Sequence, residues 1–106
     1  MQNNNKFEYN DILGSRDKIR SDLKGKSGIY LFVNLKDPTK CYVGSSVNLW
    51  NRIRRHINIV NNGDFSKTSK FYNAVNLYKW ESFKLVILEF TEDKKLLIAR
   101  EQYRSS

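Results

Sequence analysis

Residues 27–46 read SGIYLFVNLKDPTKCYVGSS, and this stretch decides the fold. Ile29, Leu31 and Val33 alternate with Tyr30 and Phe32 in a β-branched and aromatic run, the pattern of a strand. Residues 34–40 (NLKDPTK) form a turn, with Asp37 and Pro38 supplying its chemistry. Cys41, Tyr42 and Val43 begin a second strand, and so short a connection implies an antiparallel hairpin. Tyr30 and Tyr42 have the same parity, as do Phe32 and Gly44, so any even register places both tyrosines on one sheet face. Gly44 ends the second strand where a side chain would block the close approach of another group.

Downstream of the hairpin the period changes from two to about three and a half. Ser46 is placed to cap a helix in which Trp50, Ile53, Ile57 and Val60 form an apolar stripe. Arg52 and His56 are spaced i, i+4 and share a neighbouring face, whereas Arg54 and Arg55 point elsewhere and add positive charge. Asn61, Asn62 and Gly63 stop the helix. Phe71, Val75 and Tyr78, with Ala74 and Leu77, predict a second helix over about 69–80. Phe83–Phe90 (FKLVILEF) reads as a third strand with Phe83, Leu85 and Ile87 on one side, and its continuous apolar middle marks it as central. Thr91 caps a last expected helix, with Glu92 and Asp93 suiting its positive end. Leu96, Ala99 and Tyr103 line one face of that helix, and Leu97 and Glu101 another. Upstream, residues 12–23 predict a short helix with Ile12, Ile19 and Leu23 on one face, broken by Gly25. Residues 1–10 are polar, Asn-rich and expected to be mobile. The order helix, strand, strand, helix, helix, strand, helix implies a small mixed α/β (α+β) fold. A three-stranded antiparallel or mixed sheet is flanked by helices. Residues 1–24 read as a polar N-terminal extension and 25–106 as the domain.

Composition narrows the partners. A chain of 106 residues is one domain, and 40% hydrophobic with 28% charged residues is globular usage. The longest apolar run, Leu85 to Leu88, is far short of the ~20 residues of a membrane span. Lys plus Arg is 19 against 11 Asp plus Glu, a net +8, which points to a polyanion, nucleic acid before membrane. One cysteine, Cys41, excludes an internal disulfide and a cysteine-built zinc site, and a single His56 excludes multi-histidine metal sites. No apolar h-region opens the chain, and Glu8 and Asp11 precede the first Arg, so neither a signal peptide nor an import presequence is expected. Asn 12, Lys 12, Ile 8, Tyr 6 and Phe 6 far outnumber Gly 5, Ala 2, Pro 1 and Arg 7. The first group has A/T-rich codons. The gene is therefore expected in an AT-rich genome, a mitochondrion or other organelle first, with a phage or a low-GC bacterial cytoplasm as alternatives.

Taken singly, the polar candidates have ordinary explanations. Strand tyrosines usually pack, an Arg on a basic helix is usually solvated, a His beside an apolar stripe is usually structural, and a Glu near a helix end is usually a surface carboxylate. No HExxH, Walker loop or Ser/His/Asp spacing competes with them. Their spacing is more specific. Gly28-Ile29-Tyr30, then Tyr42-Val43-Gly44 on the next strand, Arg52 eight residues past Gly44, His56 one turn later, and a helical Glu101 after a third strand together resemble the GIY-YIG nuclease family. Residues 42–49 leading to Arg52 look most like its intron-encoded homing endonucleases, and the resemblance runs from about Lys26 to Tyr103.

The resemblance implies a DNA endonuclease that hydrolyses phosphodiester bonds with one divalent metal, Mg²⁺ with Mn²⁺ as a substitute, held by Glu101. Arg52 would clamp the scissile phosphate with its planar fork of donors. Tyr30 would activate or orient the attacking water, Tyr42 would bond the phosphate or orient that water, and His56 would assist proton transfer or position the phosphate. Gly28 and Gly44 would keep the strand surface open to the DNA backbone, and Arg54, Arg55, Lys67 and Lys70 would contact DNA phosphates. Double-stranded DNA is then the partner, with no membrane, no small-molecule cofactor and a monomeric chain. Two departures qualify this. The family carries a further Asn beyond the Glu, and none follows Glu101 here. Homing enzymes also add a separate DNA-binding module, for which these residues leave no room. An isolated catalytic unit, a low-specificity nuclease and a catalytically inactive DNA-binding remnant all remain open on sequence.

Overall fold

The computed structural model describes residues 7–63 and 69–91. Its centre is the expected hairpin: β2 (Gly28–Asn34) pairs antiparallel with β3 (Cys41–Ser46), with Tyr30 opposite Gly44 and Phe32 opposite Tyr42. The register is even, so both tyrosines share a face, as parity requires. Inside the connecting turn, the buried Asn34 accepts from the backbone N–H of Lys36 and of Asp37 through Oδ1, which folds the chain back towards β3. The apolar run 83–90 forms β4 (Phe83–Phe90), antiparallel to β2.

The sheet has four strands in the order β1-β4-β2-β3, not three. The added strand is β1 (Phe7–Tyr9), drawn from a stretch expected to be mobile. Phe7 and Tyr9 flank Glu8 with period two, and β4 offers an edge for them, pairing Phe7 with Ile87 and Tyr9 with Leu85. Tyr9 is buried and donates its O–H to Asp22 Oδ2 at 2.7 Å, while Glu8 meets Lys84 at 3.2 Å across the same pair of strands. Burial of an aromatic and a charge-assisted hydrogen bond together offset the ordering of so short a strand. Addition of β1 makes β4 central, as its apolar middle demands.

Helix α1 (Arg16–Leu23) begins later than its apolar spacing predicts, because residues 11–14 form a turn in which Gly14 N–H donates to Asp11 Oδ1. Ile12, Ile19 and Leu23 are nonetheless all buried. Helix α2 (Leu49–Asn62) is capped by Asn48, whose side chain accepts from Asn51 N–H, not by Ser46. Ser46 Oγ is already engaged with the backbone of Asn48, accepting from its N–H and donating to its C=O. A left-handed Gly63, with φ +73°, ends the helix as expected. Helix α3 (Lys70–Tyr78) is capped by Ser69, and a single 3₁₀ turn over Trp80–Ser82 leads into β4. Leu49, Ile53 and Ile57 of α2, Ile19 and Leu23 of α1 and Val75 of α3 join Tyr30, Phe32, Leu85 and Ile87 in one core. Among the described residues, then, all three helices pack on the sheet face that carries Tyr30. No described helix is long and apolar enough to cross a membrane.

Candidate active site

Two local features aim α2 at that face. Its first residue donates its N–H to Lys26 C=O at 2.9 Å, which ties the start of α2 to the chain entering β2. Its buried stripe then lies on the sheet, so His56, one step off the stripe, comes down over Tyr30. Tyr30 Oη and His56 Nε2 are 2.9 Å apart. On the other side of the same ring, His56 Nδ1 is 2.6 Å from the Tyr72 hydroxyl of α3. Tyr30, Tyr42, His56 and Tyr72, with Phe32, Val43, Ser69 and Phe71, line one open cleft of about 420 Å³.

The imidazole is held on several sides by rings. Its centroid lies 5.8 Å from Tyr30, 5.9 Å from Phe32, 5.5 Å from Phe71 and 5.5 Å from Tyr72. This burial disfavours the imidazolium, and the guanidinium groups of Arg52 and Arg55 disfavour it further, so the pKa of His56 falls to about 4. At neutral pH the ring is uncharged. Tyr72 is shifted upward by its own burial, against the opposing pull of Arg52 and Arg55. Arg52 lies one helical turn before His56 with its side chain exposed on α2. Arg54, Arg55 and Arg52 line a shallow basin of about 440 Å³ there, with Asn51, Asn58 and Asn62 between them. Arg54 Nη2 donates to Asn51 Oδ1 at 3.1 Å.

Four of the five residues expected to form the catalytic group are thus described: Tyr30, Tyr42 and His56 line the cleft itself and Arg52 lies one turn before His56 on α2. Glu101 lies outside the described residues, as does Lys67. Lys70 is exposed at the start of α3 and shares a second groove with Lys40 and Tyr42. Both glycines lie against the protein's own atoms. A Cβ on Gly28 would meet the backbone carbonyl of Glu89, where β2 and β4 change register. A Cβ on Gly44 would lie 2.5 Å from the Tyr30 Oη. The space beside each glycine is taken up by the protein's own atoms. Tyr72 was missed from the sequence, since it sits beside the Phe71–Val75–Tyr78 stripe and no spacing rule links it to His56.

This arrangement provides a neutral imidazole between two phenols, under the influence of the Arg52 and Arg55 guanidinium groups and open to solvent on one side. It can accept and donate protons next to a bound anion. In comparison with known proteins, the model of the GIY-YIG catalytic domain matches residues 26–104. Among solved structures, the catalytic domain of the homing endonuclease I-TevI is similar, with 31% identity, a TM-score of 0.63, and coverage of 74% of this chain and 84% of that one. The family match takes in the hairpin, α2, α3, β4 and every candidate site residue, and the chain belongs to the GIY-YIG nuclease family.

Proposed function

We infer that this chain is a DNA endonuclease of the homing type, hydrolysing phosphodiester bonds of double-stranded DNA as a monomer. The observation that carries the reading is the 2.9 Å contact between Tyr30 Oη and His56 Nε2 in the cleft, with Arg52 one turn before His56 on α2. Hydrolysis forms a bond from a water oxygen to phosphorus and breaks the bond to a deoxyribose oxygen. Arg52 holds the phosphate and offsets the charge that develops on it, which is the largest contribution such a site makes. Tyr30 orients the attacking water and, as phenolate, takes its proton. Tyr42 hydrogen-bonds the phosphate from the adjacent strand. Neutral His56 hydrogen-bonds Tyr30 Oη through Nε2 and so assists the proton transfer that Tyr30 makes.

Among the described residues, the lining of the cleft supplies phenols and an imidazole but no carboxylate, and there is no cluster of three His, Cys, Asp or Glu. A hard cation needs oxygen ligands, and Glu101 is the family carboxylate that would hold it. Mg²⁺ or Mn²⁺ held by Glu101 would supply positive charge to offset what builds on the phosphate. The resemblance to homing endonucleases supports an intron-encoded gene, and the codon-linked composition supports an AT-rich organelle, mitochondrial before phage or bacterial.

Nicking of supercoiled plasmid with and without Mg²⁺ tests the assignment. Cleavage is expected only with the metal. Glu101→Ala abolishes it and leaves DNA binding intact. Arg52→Ala lowers the rate by about 10²–10³ without unfolding, because the side chain lies off the buried stripe of α2. DNA binding without cleavage under either cation identifies the inactive remnant instead.

A further inference from the structure

The histidine is flanked by a phenol on each ring nitrogen, and only one of the two had a reason to be there. A neutral imidazole has one N–H donor and one acceptor nitrogen, so Tyr30 and Tyr72 must play opposite roles towards it. Both contacts are close, 2.9 Å from Tyr30 Oη to Nε2 and 2.6 Å from Tyr72 Oη to Nδ1, so whichever phenol donates fixes the tautomer. We propose that Tyr72 is a positioning residue: its O–H donates to Nδ1 and so fixes His56 in the tautomer whose Nε2–H points at Tyr30 Oη.

Three further observations agree. Burial and both arginines keep His56 uncharged, so the choice between tautomers is a real one at neutral pH. Tyr72 is pushed towards holding its proton, as a donor must. The ring is packed edge-on against Phe32 and Phe71 at 87° and 83°, which opposes the half-turn that would put ring carbons where its nitrogens meet the two phenols. The consequence for chemistry rests on the nuclease reading above. A hydrogen bond donated to Tyr30 Oη favours the phenolate over the phenol, so the tautomer that Tyr72 selects is the one that prepares Tyr30 to take a proton from water. Tyr72 itself acts only through His56.

His56 is the single histidine of the chain, so ¹⁵N NMR of selectively labelled protein at neutral pH reads its two nitrogens without assignment work. The wild type is expected to show a protonated Nε2 and an unprotonated Nδ1 carrying the shift of an accepted hydrogen bond, with the Nε2–H tautomer in about tenfold excess, the factor given by one hydrogen bond. Tyr72→Phe should remove the Nδ1 shift and mix the tautomers while leaving the rest of the amide spectrum in place. In plasmid nicking, Tyr72→Phe should lower kcat by about 10- to 100-fold, the usual cost of losing an orienting partner, with KM for DNA unchanged. A wild-type ring protonated on Nδ1 overturns the proposal, as does a Tyr72→Phe ring spectrum that superimposes on the wild type. A changed tautomer with undiminished kcat also overturns the role. Failure of the wild type to nick DNA at all would sink the nuclease reading, and the NMR comparison would still decide how Tyr72 acts.

Discussion

Gly44→Ala tests the site through the backbone position that the family motif shares with the structure. A Cβ there would lie 2.5 Å from Cζ and Oη of Tyr30, against the 3.4 Å at which ordinary contact begins. The phenol must therefore move by about 0.9 Å, if β3 stays in register. Tyr30 cannot retreat into space, because it is 5% exposed and its ring meets Phe32 at 5.7 Å. It either presses on the imidazole or slides past Nε2. The hydrogen bond to His56 is 2.9 Å long and has only about 0.6 Å of slack before it ceases to be one. The overpacking costs about 1–3 kcal/mol, partly offset by the ~0.4–1 kcal/mol that Gly→Ala gains from a stiffer unfolded chain. The fold should survive with a lower urea midpoint. Misplacement of a reacting group by about 1 Å costs roughly 10²-fold in rate, so single-turnover nicking should fall by that factor with DNA affinity unchanged. A variant that keeps the wild-type rate would refute this reasoning. A variant that loses DNA affinity while the His56 resonances stay as in the wild type would refute it too, since it would mean that Gly44 is kept small for DNA.

The depressed pKa of His56 makes stability depend on acid. Its contribution is fully present above the unfolded value of 6.5 and is lost as pH falls towards about 4, because the unfolded chain binds the proton first; the loss is about 3 kcal/mol. His56→Gln should lack this portion of the acid sensitivity in urea unfolding at pH 7 and pH 4.5, and equal pH dependence in the two proteins would remove the buried neutral histidine from the account. The net charge of +8 predicts binding dominated by phosphates. If Arg52, Arg54, Arg55 and neighbouring lysines neutralise about four to six of them, log K should fall against log salt with a slope of about −3.6 to −5.4. A titration on two unrelated duplexes of equal length checks this, and a shallow slope or a strong preference for one duplex would reveal base contacts made by an unrecognised element.

Legibility in the sequence tracks how local each interaction is. The β2–β3 hairpin and α2 are readable because their periods, turn residues and stop signals lie within a few residues of one another. The central place of β4 is readable from an apolar run that needs cover on both sides. In contrast, β1 is three residues long and has no propensity signal of its own. It exists because β4, distant in sequence, presents an unpaired edge and α1 presents Asp22 to Tyr9. The cap of α2 fails for a related reason. Ser46 and Asn48 are both good capping types, and only the tertiary position of the chain decides that Ser46 spends its hydroxyl on closing a turn.

The same distinction runs through the site. Tyr30, Tyr42, Arg52 and His56 all lie on the hairpin and the helix directly after it, so parity on the strands and a four-residue step on the helix bring them together without knowledge of the rest of the fold. Tyr72 arrives on a separate helix, and its relation to His56 depends on how α3 docks, which no sequence period encodes. Yet it is this docking that decides the protonation of the shared imidazole. The hairpin and α2 place the reacting groups; α3 chooses the direction in which a proton can move between them. Substitutions on α2 that spare the buried stripe should therefore cost activity by removing a reacting group. Substitutions at Tyr72 should cost it by leaving the same groups in place with the wrong proton between them.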